Sequence, residues 1–347
     1  MNEIPPLASL CDPSAPLEDG HGRTVRYIRL SVTDRCNLRC TYCRSGMETF
    51  IPHESVLRYE EMEQLVDMAM DMGVEKVRLT GGEPFARKGF VGFLERLRAA
   101  HPTLDIRITT NGTLVGPHVS ELKAIGLNAV NLSLDTFDRA KFERVTGRDL
   151  FARVRESMDA LLDAGIPLKL NAVAMRGFND DELPAFINYA MTHPVDVRFI
   201  EFMPMGEGTR WSDACFWSAP DILTAVREFV SVEPVAHEQR NGGPARLYTL
   251  SGPSGPGLGR LGLITPLSSH FCAACNRLRI TSDGALRTCL FDDKEYRLRN
   301  ALRHPRLGIE AVRRIVALAT RAKPIGARIL ERRHDAVAQR RMTAIGG

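Results

Sequence analysis

No apolar run in this 347-residue sequence approaches the roughly 18 residues needed to cross a bilayer, which excludes a membrane-spanning helix. Nor is there a large excess of charge of one sign. Lys and Arg number 46 against 42 Asp and Glu, a mild formal net charge of +4. The amino terminus lacks the basic-then-apolar pattern of a secretory leader; rich in Pro, Ser, Asp and Glu, it reads as a disordered lead-in over residues 1–22. Cysteine is scarce as well. There are eight, most of them in two metal-like clusters, which argues against disulfides and for a reducing cytoplasm. Each cluster lacks a fourth cysteine nearby. What remains is ordinary for a globular chain, 44% hydrophobic and 25% charged, long enough for one large core or one core and a smaller module.

The first cluster is Cys36, Cys40 and Cys43, spaced C-x3-C-x2-C in the segment Arg35-Cys36-Asn37-Leu38-Arg39-Cys40-Thr41-Tyr42-Cys43. A structural zinc site wants four protein ligands. Three thiolates on a four-iron cluster leave one iron open for chemistry. A zinc knuckle completed by a distant residue is the alternative. The residues before the loop, Tyr27 to Val32, alternate like a strand, so the open iron would lie at the carboxyl end of a first strand, where α/β sheets place their active sites. The loop resembles the signature of the radical S-adenosylmethionine (SAM) superfamily, including the aromatic Tyr42 before the third cysteine. That resemblance implies an iron that chelates SAM, and reductive cleavage of SAM to a deoxyadenosyl radical that abstracts hydrogen.

Strand-like and helix-like segments then alternate. Helices are expected over 58–72, 88–100, 117–125, 150–164 and 180–192. Strands are expected over 76–80, 105–110, 129–134, 167–174 and 195–202. With the first strand this makes six βα-type repeats in about 180 residues, compatible with a doubly wound sheet or a barrel. The superfamily resemblance selects an incomplete (β/α)6 TIM-type barrel over residues 23–220. Beyond Pro220 the composition changes. Asn241-Gly242-Gly243-Pro244 and the run Ser251 to Gly259 look like turns between short strands, and a helical, basic tail runs from Arg303 to Arg341. Residues 221–347 are thus expected to form a smaller module packed across the barrel's open side. Most of the basic run reads as a solvated helical face; charge alone leaves open an anionic substrate or a nucleic acid.

The second cluster, Cys272, Cys275 and Cys289, is spaced C-x2-C-x13-C. On spacing alone, a zinc site completed by Cys215 or His270 competes evenly with an iron–sulfur cluster. The context is Phe271-Cys272-Ala273-Ala274-Cys275-Asn276-Arg277-Leu278-Arg279-Ile280, Ser282-Asp283-Gly284, and Arg287-Thr288-Cys289-Leu290. With the first loop and the terminal Gly346-Gly347, this resembles the GTP 3′,8-cyclase family of molybdenum cofactor biosynthesis, from about Thr24 to the end of the chain.

The resemblance implies two [4Fe–4S] clusters, one on Cys36, Cys40 and Cys43 that cleaves SAM, the other on Cys272, Cys275 and Cys289 that anchors the guanine of GTP. It implies that Gly82, in Gly81-Gly82-Glu83-Pro84, together with Tyr42, Thr109, Ser133 and Met203, holds SAM. Strand-end capping or core packing is the rival explanation for Thr109, Ser133 and Met203. Cations on strands are seldom buried unless paired, so several together suggest a bound anion. By resemblance Arg29, Lys76, Arg78, Lys169, Arg198, Arg277 and Arg279 surround the triphosphate and the active-site channel. Arg29, Arg277, Arg279 and the threaded tail Gly346-Gly347 are expected to act in catalysis. Two departures from the family pattern are Arg44-Ser45-Gly46 after the first loop and Lys323-Pro324-Ile325-Gly326-Ala327, where a histidine often follows Lys-Pro.

The implied enzyme is a cytoplasmic lyase that converts GTP to (8S)-3′,8-cyclo-7,8-dihydroguanosine 5′-triphosphate, the first step of molybdenum cofactor biosynthesis. Its partners would be GTP, SAM, an electron donor and a downstream cyclic pyranopterin monophosphate synthase, with neither membrane nor nucleic acid; a homodimer stays open. The rival readings are a radical SAM enzyme that modifies a peptide, and a zinc-stabilised nucleic-acid-binding module.

Overall fold

A computed structural model describes residues 16–43, 50–205, 211–236 and 243–331. In chain order the strands are β1 (Tyr27–Ser31), β2 (Lys76–Thr80), β3 (Asp105–Thr110), β4 (Ala129–Ser133), β5 (Leu168–Ala174), β6 (Asp196–Glu201), β7 (Ser231–Pro234), β8 (Arg246–Gly252), β9 (Gly255–Ile264), β10 (Arg277–Ile280), β11 (Ala285–Arg287) and β12 (Tyr296–Arg297). The helices are α1 (Tyr59–Asp71), α2 (Phe90–Ala100), α3 (Val119–Ile125), α4 (Arg139–Thr146), α5 (Phe151–Asp163), α6 (Leu183–Thr192), α7 (Ala219–Val226), α8 (Leu298–Leu302), α9 (Gly308–Arg321) and α10 (Gly326–Leu330). No helix among the described residues is long and apolar enough to cross a membrane.

The chain divides into two compact units, and the division falls inside β3, between Arg107 and Ile108. In the first unit the strand order is β12-β11-β10-β1-β2-β3, with β10 and β2 both parallel to β1 and the β10–β11 and β11–β12 pairs antiparallel. One face of this sheet is apolar: Ile28, Leu30, Val77, Leu79, Leu278 and Ile280 are buried. Side chains alternate along strands, so Tyr27, Arg29, Lys76, Arg78, Arg277 and Arg279 share the other face. In the second unit the order is β4-β5-β6-β9-β8-β7; β4, β5, β6 and β9 run parallel, and β7, β8 and β9 form an antiparallel meander. The residues expected as one carboxyl-terminal module, 221–347, are divided between both units. β9 pairs with β6, and β10 pairs with β1.

Three expectations need correction. First, residues 1–15 of the expected lead-in lie outside the described residues, but Pro16–Gly22 are built into the first unit: Leu17 and Asp19 are buried, and the Gly20 amide donates to the Arg321 carbonyl at 3.1 Å. Second, the stretch before α5 contains a further helix, α4, capped by Asp138, whose carboxylate accepts from the Lys141 amide at 2.7 Å, and closed by Gly147 in the left-handed region. Third, the run Ser251–Gly259 is chiefly strand. Two of its glycines serve close packing: a Cβ on Gly259 would collide with the Val195 carbonyl, and one on Gly257 would come within 2.8 Å of Met191 Sδ. Asn241-Gly242 lie outside the described residues.

Candidate active site

In the first unit, the start of the thiol loop is held by backbone and side-chain bonds. The Thr33 hydroxyl accepts from the Arg35 amide at 3.1 Å, and Asp34 accepts from the Ile51 amide at 2.6 Å. The Gly82 amide donates to the Thr33 carbonyl at 2.7 Å and the Glu83 amide to the Arg35 carbonyl at 2.8 Å. A Cβ on Gly82 would collide with that same Arg35 carbonyl. Glycine is required there because two backbones touch.

The rest of the loop belongs to the second unit. The Arg39 and Thr41 amides donate to the Thr146 and Val145 carbonyls at the end of α4, at 2.8 and 2.9 Å, and the Cys43 amide closes a turn on the Cys40 carbonyl at 3.0 Å. The Tyr42 hydroxyl donates to Asp135 at 2.6 Å, and the other Asp135 oxygen accepts from the Val173 amide at 2.8 Å. Burial first, then the neighbouring Asp135 and Cys40, push the Tyr42 phenol well above its ordinary range. It is a fixed donor.

Behind this loop half, the second unit presents a polar strand face. Registers put Asn131 beside Lys169, Ser133 beside Asn171, and Asn171 beside Arg198. Asn131 Oδ1, Asn171 Oδ1 and Thr109 Oγ1 are buried without a hydrogen-bond partner among the described residues. Orphaned buried acceptors are rare in folded chains, and they fit a polar ligand. Lys169 and Arg198 are buried; Arg198 donates to Asp196 at 2.8 Å, which also accepts from Arg260 at 2.7 Å. Burial would raise the Asp196 carboxyl, but Arg198, Arg260 and Lys169 lower it on balance. Gly262 leaves room for the Arg198 stem, since a Cβ there would stand 2.8 Å from Arg198 Cγ. Met203 lies beyond β6 in a turn in which the Met205 amide donates to its carbonyl at 2.8 Å.

The first unit gathers the other cations. Arg279, Arg29 and Arg78 are lateral neighbours across β10, β1 and β2, and Arg277, Tyr27 and Lys76 form the next row. Burial, with like charge from Arg78 and Arg277, lowers Arg29 to about 10. Burial also lowers Arg78 and, still further, Arg279, which feels Arg29 and Arg277. Burial alone would raise the Tyr27 phenol; the surrounding Arg78, Arg29, Arg277 and Arg279 overcome that and lower it. Guanidiniums that weaken each other's hold on protons mark a positive field seeking an anion. Arg287, directly opposite Arg279 on β11, differs: it is buried and ion-paired to Glu295 at 3.0 Å and Asp293 at 3.7 Å. It closes the chain after Cys289.

The second thiol trio adjoins this face. Cys272 opens a single turn, and the Cys275 amide donates to the Cys272 carbonyl at 3.2 Å. Burial would raise the Cys275 thiol, but Arg277 and Lys323 bring it down to about 7, poised as the thiolate a metal needs. Burial raises Cys289. A Cβ on Gly326 would approach Cys289 Sγ to 2.9 Å and Cys272 Sγ to 3.5 Å, so a glycine lines the trio where any other residue would crowd it. Among the described residues no three His, Cys, Asp or Glu side chains converge as for a single ion. In an iron–sulfur cluster each thiolate takes a different iron, so its sulfurs need not converge. Cys215 is engaged with Ser212, and His270 with the Pro266 carbonyl. The seven described cysteines are thiols.

Tyr27, Asn131, Asn171, Lys323 and Gly326 were not singled out for these roles by the sequence. Polar residues inside otherwise apolar strands were the available signal for the first three. Gly346, Gly347 and Arg44-Ser45-Gly46 lie outside the described residues.

Comparison with known proteins agrees with this geometry. The Radical SAM superfamily model matches residues 30–190, and the Molybdenum Cofactor Synthesis C model matches residues 195–329. The GTP 3′,8-cyclase of Syntrophomonas wolfei is 41% identical over 309 residues, covering 88% of this chain and 93% of that protein. That of Alkaliphilus oremlandii is 40% identical over 334 residues, covering 95% and 100%. Among solved structures, Streptococcus suis SuiB bound to S-adenosylmethionine matches with a TM-score of 0.58 at 16% identity, over 85% of this chain and 67% of that one. That likeness is one of fold.

Proposed function

Because the chain belongs to the GTP 3′,8-cyclase family and joins a radical SAM domain to a molybdenum cofactor synthesis module, we propose that it cyclises GTP through the two thiol trios and the cationic face between β10 and β2. It is a radical SAM lyase that makes (8S)-3′,8-cyclo-7,8-dihydroguanosine 5′-triphosphate, the first step of molybdenum cofactor biosynthesis, with two [4Fe–4S] clusters and SAM as cofactors. Bound to the first cluster, SAM supplies the hydrogen-abstracting radical.

The chain's own residues bind and orient. Cys36, Cys40 and Cys43 hold the first cluster and Cys272, Cys275 and Cys289 the second. The observation that carries the reading is the grid of Arg279, Arg29 and Arg78 with Arg277 and Lys76, two residues along the chain from Cys275. Arginine forks onto phosphate oxygens, so this face receives the triphosphate beside the cluster assigned to the guanine. Fixing both ends of the nucleotide restricts the ribose between them, which is the positioning that an abstraction at one carbon demands. In the second unit, Thr109, Ser133 and Met203, with Tyr42 held by Asp135, are assigned to SAM, as is Gly82 in the first; Asn131 and Asn171 supply unspent acceptors beside Lys169 and Arg198. Arg29, Arg277, Arg279 and the terminal Gly346-Gly347 are assigned to the reacting nucleotide by family resemblance. Free thiols fit a cytoplasmic location. Reductive cleavage of SAM needs an external electron donor, and the product needs a downstream synthase; a homodimer belongs to the same set of proposals.

Anaerobic incubation with SAM, dithionite and GTP tests the reading. Deoxyadenosine and the cyclised nucleotide are expected to form together and to depend on GTP. Formation of neither by protein loaded with both clusters would sink it.

A further inference from the structure

The segment Lys323-Pro324-Ile325-Gly326, in which no histidine follows the Lys-Pro, has no assigned role, yet it lies against the second trio. Lys323 is 2% exposed. Its ammonium donates to the Arg277 carbonyl at 3.0 Å and the Thr288 carbonyl at 2.5 Å, and with Arg277 it lowers the Cys275 thiol. Thr288 precedes Cys289 and Arg277 follows Cys275 by two residues, so one amine ties both cysteine-bearing peptides. Gly326 stands against the other two sulfurs, with room for no Cβ beside Cys289.

The segment is itself latched. Arg23, buried and fixed by Asp19 at 2.5 Å, donates to the Cys272 carbonyl at 2.7 Å and to the Lys323 and Pro324 carbonyls at 3.2 and 3.0 Å. A buried ammonium is unfavourable unless an opposite charge answers it. Among the described residues Lys323 bonds two neutral carbonyls and no carboxylate.

We propose that Lys323 is a positioning residue of the second cluster: its ammonium, latched in place through Arg23, is the resident counter-charge of the Cys275 thiolate and sets the cluster's reduction potential, while Gly326 keeps the space the thiolates require. This rests on the reading of the trio as cluster ligands. Reduction adds negative charge to a cluster, and a fixed cation nearby favours that state. Removing the cation therefore lowers the potential.

The test uses the full chain in a Cys40→Ala background, which leaves the second cluster alone. Anaerobically reconstituted C40A, C40A/K323M and C40A/K323R are compared by iron and sulfide content, redox titration and the electron paramagnetic resonance of the reduced state, with circular dichroism to confirm folding. About four irons are expected in C40A, a lower midpoint potential and an altered resonance in C40A/K323M, and recovery toward the C40A values in C40A/K323R. A methionine variant with unchanged iron, potential and resonance overturns the proposal. If the methionine variant holds no cluster, the arginine variant decides: restored iron supports the counter-charge, and an equally empty arginine variant rejects it. A folded C40A protein that binds no cluster overturns the reading of the trio, and the proposal with it.

Discussion

Tyr27 stands in the middle of the cationic face, with Lys76 and Arg78 at 5.9 and 5.6 Å from its ring centroid and Arg277 directly beside it in register. Burial opposes its ionisation and the guanidiniums override burial, so the phenol titrates below its usual range. Once ionised, it neutralises part of the field that phosphates would occupy. Bound phosphates in turn restore the proton. GTP affinity of the loaded enzyme should therefore fall as pH rises through the alkaline range, and fall less steeply in Tyr27→Phe; calorimetry at several pH values that gave parallel profiles would reject this. Arg279 and Arg287 make a contrasting pair on adjacent strands. Arg279→Ala should weaken GTP binding at least tenfold, about 1.4 kcal/mol, with smaller effect on SAM cleavage. Arg287→Ala should act on stability, by about 3 kcal/mol, because it strands the Glu295 carboxylate with which Arg287 is paired. Two buried arginines thus separate by what answers their charge.

At the level of elements, the first thiol loop is carried by backbone contacts as well as by the side chains of Thr33, Asp34 and Tyr42. Gly82→Ala should disturb it, destabilising the protein by roughly 1–3 kcal/mol through overpacking on the Arg35 carbonyl and reducing the iron held by Cys36, Cys40 and Cys43; urea denaturation and iron analysis check both. In the first unit, Arg303 forks onto the buried Glu61 of α1 at 2.6 and 2.8 Å. Burial would raise that carboxyl, but bonds from Arg303 and Arg58 lower it on balance. The contact therefore stabilises fully above the ordinary glutamate pKa of about 4.3 and is lost as pH falls through the depressed value. Denaturation from neutral to acidic pH should show the wild-type advantage over Glu61→Gln shrinking in that window. Arg303 and Arg313, which bonds Asp71 at 3.0 Å, show that part of the basic tail clasps α1.

The parallel strands β1 to β6 fall within a residue or two of their sequence-based positions, because alternating apolar residues and intervening glycines mark them plainly. α4 escaped notice because it buries little, chiefly Phe142 and Val145; its caps, Asp138 and Gly147, were the readable signal. β9 was hidden by its glycines, of which Gly255 serves the turn and Gly257, Gly259 and Gly262 serve close contact. The cysteine trios were legible from spacing as metal-like clusters, and the strand-borne arginines were visible as charges on strands whose roles came from the family resemblance. Lys323 was not legible, since a lone lysine looks like surface until its carbonyl partners, distant in sequence, fold around it.

For the molecule as a whole, anaerobic reconstitution should yield about eight irons per chain, from two four-iron clusters. Cys40→Ala should abolish SAM cleavage. Cys289→Ala should spare some uncoupled cleavage while destroying cyclisation, and equal loss of both would argue against a division of labour between the clusters. GTP at 100 times its dissociation constant should stabilise the folded protein by about 2.7 kcal/mol, seen as a rise in melting temperature that Arg78→Ala diminishes.

The strand pairing of β10 with β1 also sets a timetable. A ribosome delivers β1 and β2 early and β10 only after the whole of residues 108–271 has emerged. The nascent chain can therefore possess Cys36, Cys40 and Cys43 while the proposed nucleotide seat is still unmade. Closing so long a loop is entropically unfavourable, and a nucleotide that bridges β10, β1 and β2 would favour the closed form. On the proposed seat for GTP, the substrate would double as a clasp between strands from the two ends of the chain, and cells short of GTP would be expected to hold more of the newly made enzyme in an open, protease-sensitive state.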